Sequence, residues 1–165
     1  MSNYDFQGLR VLVCDDSLQI RALVKTFLHA FGIKDIHEAC DAETGFAELL
    51  DSNPDLVITD WNMPEVSGLD FVKRIRQSLE APNPYVPVIM LTGYTEMDRV
   101  VTARDAGVSS FLAKPLSADS LYKRLVSLVD DERMFVRSND FFGPDRRFHK
   151  SAITEGPERR GQAAA

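Results

Sequence analysis

The chain has 165 residues, 44% hydrophobic and 27% charged, which fits one globular domain with some length left over and excludes a disordered or membrane-embedded protein. Nineteen Lys and Arg against 25 Asp and Glu give a net charge of -6, which argues against the phosphate contacts of basic nucleic-acid binders, so no direct DNA binding is expected. Two cysteines are too few for a disulfide framework, and the polar opening from Met1 to Asp5 lacks the apolar centre of a secretion signal, so the expectation is a reduced, cytoplasmic protein with no membrane insertion.

In chain order, Leu9 to Cys14 is a short apolar run, the pattern of a strand buried on both faces of a parallel sheet. Ile20, Leu23, Val24, Phe27, Leu28 and Phe31 then fall at i, i+3, i+4, i+7, i+8 and i+11, one stripe on a helix that Ser17 or Asp16 caps. A weaker strand, Asp35 to Ala39, follows the helix-end glycine Gly32, and Ala42, Phe46, Leu49 and Leu50 mark a second helix. Asp55 to Thr59 is the third strand; Leu69, Val72, Ile75 and Leu79 mark the third helix; Val86 to Leu91 is the fourth strand. Met97, Val100 and Val101 mark a fourth helix, Ser110 to Ala113 after Gly107 a fifth strand, and Leu121, Leu125 and Leu128 a fifth helix.

Beyond Val129 this periodicity stops. Residues 1–132 carry 12 basic and 21 acidic side chains, whereas 133–165 carry 7 basic and 4 acidic. A domain over 1–132 and an arginine-containing tail over 133–165 are therefore expected. The tail is expected to be partly disordered, because Glu155 to Ala165 has almost nothing apolar to offset roughly 1–2 kcal/mol per residue of backbone ordering. The segment Phe141-Phe142-Gly143-Pro144-Asp145-Arg146-Arg147-Phe148 differs, since aromatics interleaved with arginines suit docking on the domain or on a partner.

Five alternating strand–helix units with right-handed crossovers give an α/β, doubly wound parallel sheet, and if its order is the flavodoxin-like 2-1-3-4-5, the first, third, fourth and fifth strands are neighbours. Ligands of such sheets bind beyond the carboxyl ends of the strands. There the chain places Asp15 and Asp16 after the first strand, Asp60 after the third, Thr92 after the fourth and Lys114 after the fifth. Strands spaced about 4.8 Å apart line these groups along one edge. Like-charged carboxylates gathered there repel by about 3 kcal/mol per pair at 5 Å and an effective dielectric of 20, so they need a cation. An all-oxygen site open to water suits Mg²⁺, which commonly shares its shell with a phosphate. Asp60 is the candidate nucleophile toward phosphorus, with Thr92 as hydrogen-bond donor and Lys114 as positive charge for phosphoryl oxygens.

The combination Val13-Cys14-Asp15-Asp16, Ile58-Thr59-Asp60-Trp61-Asn62-Met63-Pro64, Leu91-Thr92-Gly93 and Ala113-Lys114-Pro115 resembles the receiver domain of two-component response regulators, particularly the stand-alone chemotaxis type, over roughly Leu9 to Val129. The resemblance implies that Asp60 accepts a phosphoryl group from a sensor histidine kinase or phosphotransfer protein. It implies that Asp15, Asp16, Asp60 and the Asn62 backbone carbonyl hold Mg²⁺, and that Thr92 and Lys114 contact the phosphoryl group. It further implies a switch through Thr92 and Phe111, the latter a phenylalanine where chemotaxis-type members often carry tyrosine. A cis Lys114–Pro115 bond, and modulation of phosphate lifetime at Asn62 and Tyr94, are implied as well. The expected output surface comprises the fourth helix, fifth strand and fifth helix, meeting a protein target.

Three rival readings stand beside this one. An aspartyl-phosphate phosphohydrolase usually carries an acid/base Asp two residues after the nucleophile, where this chain has Asn62, and Asn cannot exchange a proton near neutral pH. A ligand sensor would bind a cyclic dinucleotide through Arg137, Arg146, Arg147, Arg159 and Arg160, as some similar tails do. A receiver-like interaction module would not be phosphorylated at all. Cys14 and Cys40 read as small buried hydrophobes, Trp61 as a loop aromatic, and His29, His37 and His149 lack partners at metal-ligand spacing.

Overall fold

The structure, a computed structural model, describes residues 4–93 and 99–130, together with the backbone of Val136–Ser138 and Phe141–Gly143. Within them the elements run β1 (Arg10–Cys14), α1 (Leu18–Ala30), β2 (Asp35–Ala39), α2 (Ala42–Ser52), β3 (Leu56–Asp60) and α3 (Gly68–Gln77). They continue with β4 (Val88–Thr92), α4 (Val100–Ala106), β5 (Ser110–Ala113), α5 (Ala118–Asp130), β6 (Val136–Ser138) and β7 (Phe141–Gly143). Strands β1 to β5 form one parallel sheet, as the alternation of periods predicts, and its order is the expected β2-β1-β3-β4-β5.

Apart from Arg10 and the polar residues Thr59, Asp60 and Thr92 at their ends, the central strands β1, β3 and β4 are apolar, as suits a sheet covered by helices on both faces. Leu12, Cys14, Val57, Val88 and Met90 point into a core with Phe46 and Leu49 of α2, Phe71, Val72 and Ile75 of α3 and Ala103 of α4. Their alternating neighbours Val11, Val13, Ile58, Ile89 and Leu91 meet Val24 and Leu28 of α1 and Leu121, Leu125 and Leu128 of α5. At about 1.5–3 kcal/mol for each large side chain taken from water, these two layers fix the sheet between its helices. Serine and aspartate cap the helices at the functional edge: Ser17, Asp41 and Ser67 accept backbone N–H bonds at the starts of α1, α2 and α3. Of the two cap candidates for α1, Ser17 takes the role.

Several boundaries depart from the sequence reading. Asp60 and Thr92 are the last residues of their strands instead of the first residues beyond, because the ladder continues through Asp60↔Leu91 and Thr92↔Ala113. Leu79 is fully exposed and lies past α3, which stops at Gln77 where Ser78 turns extended and its hydroxyl caps the amides of Glu80 and Ala81. Leu23, Leu50 and Val101 sit at the exposed margins of their stripes. Met97 lies outside the described residues.

The tail carries an unforeseen feature, an antiparallel pair of β6 and β7 with Arg137 opposite Phe142. Phe148 and the arginines at 146, 147, 159 and 160, with His149, lie outside the described residues. Among the described residues no helix is long and apolar enough to cross a membrane.

Candidate functional site

The sheet register decides which residues meet. Cys14 pairs with Thr59, so Asp15, one residue on, lies level with Asp60. Asp60 pairs with Leu91, placing Thr92 one step higher, and Thr92 pairs with Ala113, placing Lys114 one step higher again. Backbone bonds extend the ladder past the strand ends, from Asp15 N–H to Ala39 O at 3.0 Å, Trp61 N–H to Leu91 O at 3.1 Å and Lys114 N–H to Thr92 O at 2.9 Å. All four strand ends thus deliver their polar residue on a backbone already paired on one side.

One carboxylate oxygen from each of Asp15, Asp16 and Asp60 lies within 4.8 Å of the others. Asp15 and Asp60 are buried and Asp16 is exposed, so the cluster opens to water on one side. The Lys114 ammonium donates to Asp60 Oδ1 at 2.9 Å and stands 4.0 Å from Asp15 Oδ2. The second distance is beyond hydrogen-bond reach, and Asp15 Oδ2 is a buried oxygen with no hydrogen-bond partner. The other oxygen, Oδ1, accepts the Ser17 N–H at 2.8 Å. Burial pushes the Asp15 carboxyl up to about 6, against the pull of that amide and with a further push from Asp60. Burial likewise raises Asp60, while Lys114 opposes the shift. Three hard oxygen donors, one left without a hydrogen bond, fit a hard divalent cation such as Mg²⁺.

The remaining predicted residues are close at hand. Thr92 is buried at the end of β4, and Asn62 is exposed in the loop after Asp60. Phe111 is half-buried and packs against the core layer of α2, α3 and α4. The Lys114–Pro115 bond is cis. Tyr94 lies outside the described residues. Gly68 permits a close backbone approach at the site, since its N–H donates to Trp61 O at 2.7 Å and a Cβ there would collide with the Asp60 carbonyl oxygen.

Two residues differ from expectation. Trp61 is buried in the core with Met63 and Phe71 instead of lying on a loop surface. Cys40 is exposed, because it stands one residue past the edge strand β2 with its thiol toward Asp41. Cys14 is buried as expected, its thiol pushed up to about 12 by burial.

Sequence reasoning passed over Arg21 and Glu38. Arg21 Nη1 donates to the Asp15 carbonyl oxygen at 2.6 Å and its Nε to Glu38 Oε1 at 3.0 Å. One signal was available: a cation in the first turn of α1 opposes the helix dipole and therefore needs another partner.

Comparison with known proteins agrees with this geometry. Residues 11–126 match the family model of the response regulator receiver domain. The chain is 34% identical to chemotaxis protein CheY-3 of Vibrio cholerae over 124 residues, covering 75% of this chain and 94% of that protein. It is 39% identical to CheY1 of Helicobacter pylori over 121 residues, covering 71% and 94%. Among solved structures, chemotaxis response regulator CheY4 of Vibrio cholerae superposes with a TM-score of 0.64 at 30% identity, covering 72% of this chain and 97% of that one. The receiver domain of a Pseudomonas aeruginosa sensor histidine kinase, with a magnesium ion coordinated in its active site cleft, shares the fold at a TM-score of 0.64 and 21% identity, covering 73% and 96%.

Proposed function

The chain belongs to the response regulator receiver domain family, a two-component signalling module and not a conventional enzyme, and from that premise we propose that it is phosphorylated on Asp60. The observation that carries the reading is the Asp60 carboxylate held 2.9 Å from the Lys114 ammonium and within 4.8 Å of Asp15 and Asp16.

An Asp60 oxygen attacks the phosphorus of a phosphohistidine presented by a sensor kinase or phosphotransfer protein. The O–P bond forms as the P–N bond breaks, and the imidazole leaves with the bonding pair. Asp15, Asp16, Asp60 and the Asn62 carbonyl would hold Mg²⁺, which when bound neutralises charge on the transferring oxygens. Lys114, paired with Asp60 before transfer, exchanges that carboxylate for a phosphoryl oxygen, and the Thr92 hydroxyl donates to another. Asn62, whose amide is neither an acid nor a base near neutral pH, supplies no acid/base function.

Thr92 sits on β4 and Phe111 on the neighbouring β5, where Phe111 pairs with Met90. Movement of Thr92 toward the phosphoryl group and repacking of Phe111 would bias the surface formed by α4, β5 and α5 between two arrangements, which a protein target then reads. Residues 1–132 carry this chemistry and 133–165 form an appended tail.

The test is incubation of the full chain with acetyl phosphate and Mg²⁺, followed by intact mass measurement. One added phosphoryl group is expected, absent in Asp60→Asn and absent with EDTA. Labelling that survives Asp60→Asn would overturn the reading.

A further inference from the structure

We propose that Arg21 is a positioning residue for cation binding: its guanidinium holds the peptide between Asp15 and Asp16 so that both carboxylates converge on Asp60. The inference rests on the receiver chemistry proposed above and adds to it a residue on α1 that touches neither the phosphoryl group nor the metal.

Arg21 Nη1 donates to the Asp15 carbonyl at 2.6 Å, and that carbonyl belongs to the peptide bond leading into Asp16. The guanidinium is itself held from the sheet, since its Nε donates at 3.0 Å to Glu38 Oε1, while Lys25 occupies Glu38 Oε2 at 2.7 Å. Glu38 lies on β2 opposite Val13, two residues before Asp15. The Arg21 side chain is only 14% exposed. A planar guanidinium anchored through Nε to Glu38 loses little further freedom when its Nη1 fixes the Asp15 carbonyl. Asp16 is exposed, so packing does not set where its carboxylate begins and the orientation of the preceding peptide does. Groups that orient metal ligands from behind typically govern affinity by about 10–100-fold when removed.

Charge and geometry predict opposite results here, which makes the role testable apart from general stabilisation. Arg21 brings a positive charge toward a cation site, so by Coulomb's law alone its removal strengthens cation binding. As a positioning residue, its removal weakens binding.

The experiment titrates the full-length protein with Mg²⁺, reading the emission of Trp61, the one tryptophan in the chain and the residue after Asp60, with thermal melting of each variant as a control for folding. Arg21→Met is expected to raise the half-saturating Mg²⁺ concentration about tenfold, and Arg21→Lys, which keeps the charge but not the fork, several-fold. Binding by Arg21→Met that is tighter than the parent's or within twofold of it overturns the inference and leaves the Asp60 chemistry standing. If Arg21→Met does not melt cooperatively, the same twofold criterion applies to Arg21→Lys. A parent that shows neither Mg²⁺ binding nor labelling overturns the receiver chemistry itself, and this inference with it.

Discussion

The Asp15 carboxylate is held at an energetic cost. Its Oδ2 is buried without a hydrogen bond, beside the Asp60 carboxylate and 4.0 Å from the nearest ammonium. In metal-free buffer this arrangement destabilises the fold, since a buried unsatisfied polar group costs about 1–3 kcal/mol and more when charged. Asp15→Asn should therefore raise metal-free stability by about 1–2 kcal/mol and diminish the increase in melting temperature that Mg²⁺ produces in the parent. Thermal melts of both proteins with and without Mg²⁺ check this, and an unchanged Mg²⁺ response in Asp15→Asn would contradict it. Gly68 shows a steric constraint at the same site, because a side chain there would collide with the Asp60 carbonyl, a backbone atom unable to move without disturbing the strand end.

Between elements, ion pairs tie α1 to the sheet and charge-assisted hydrogen bonds tie α3 to the loops around it. On one face Glu38 of β2 receives Arg21 and Lys25 of α1, and the Lys25 contact chiefly holds its carboxyl below the ordinary glutamate value of 4.5. A depressed acid contributes stability that is fully present above 4.5 and is lost as pH falls through its lowered value. Because Glu38 is about one-third exposed, solvent screening limits the effect to about 0.5–1 kcal/mol. Denaturant unfolding of the parent and Glu38→Gln should differ by that amount at neutral pH and converge in acid. A constant difference would show that charge is not involved. On the other face Arg76 of α3 donates to the carbonyls of Pro84, Val86 and Gly107, tying the approach to β4 and the end of α4 to one guanidinium at the edge remote from the aspartates. Gly107 leaves room for that side chain, since a Cβ there would meet it at 2.8 Å.

For the molecule as a whole, both core layers and every described residue of the site lie between residues 4 and 130. A chain ending at Glu132 should therefore melt cooperatively and label with acetyl phosphate at the rate of the full chain. Slower labelling would assign residues 133–165 a part in the chemistry. The architecture was legible in the sequence because each central strand is buried on both faces, leaving continuous apolar runs, while stripes such as Val24–Leu28 and Leu121–Leu125–Leu128 carry the helical period. The same patterning placed Asp15, Asp60, Thr92 and Lys114 at the strand ends. It could not show that Leu79 falls outside α3, that Trp61 is core or that Cys40 is exposed, since period alone does not specify where a helix stops or which way a loop turns. The sequence by itself determined the order of elements and the chemical character of one sheet edge, because both follow from local spacing. Only the tertiary structure decided that Asp15 Oδ2 is left without a hydrogen bond, that Lys114 reaches Asp60, and that Arg21 and Glu38 lie behind the acidic turn. Those relations depend on strand register and on side chains far apart in the chain, which meet only when the sheet has formed.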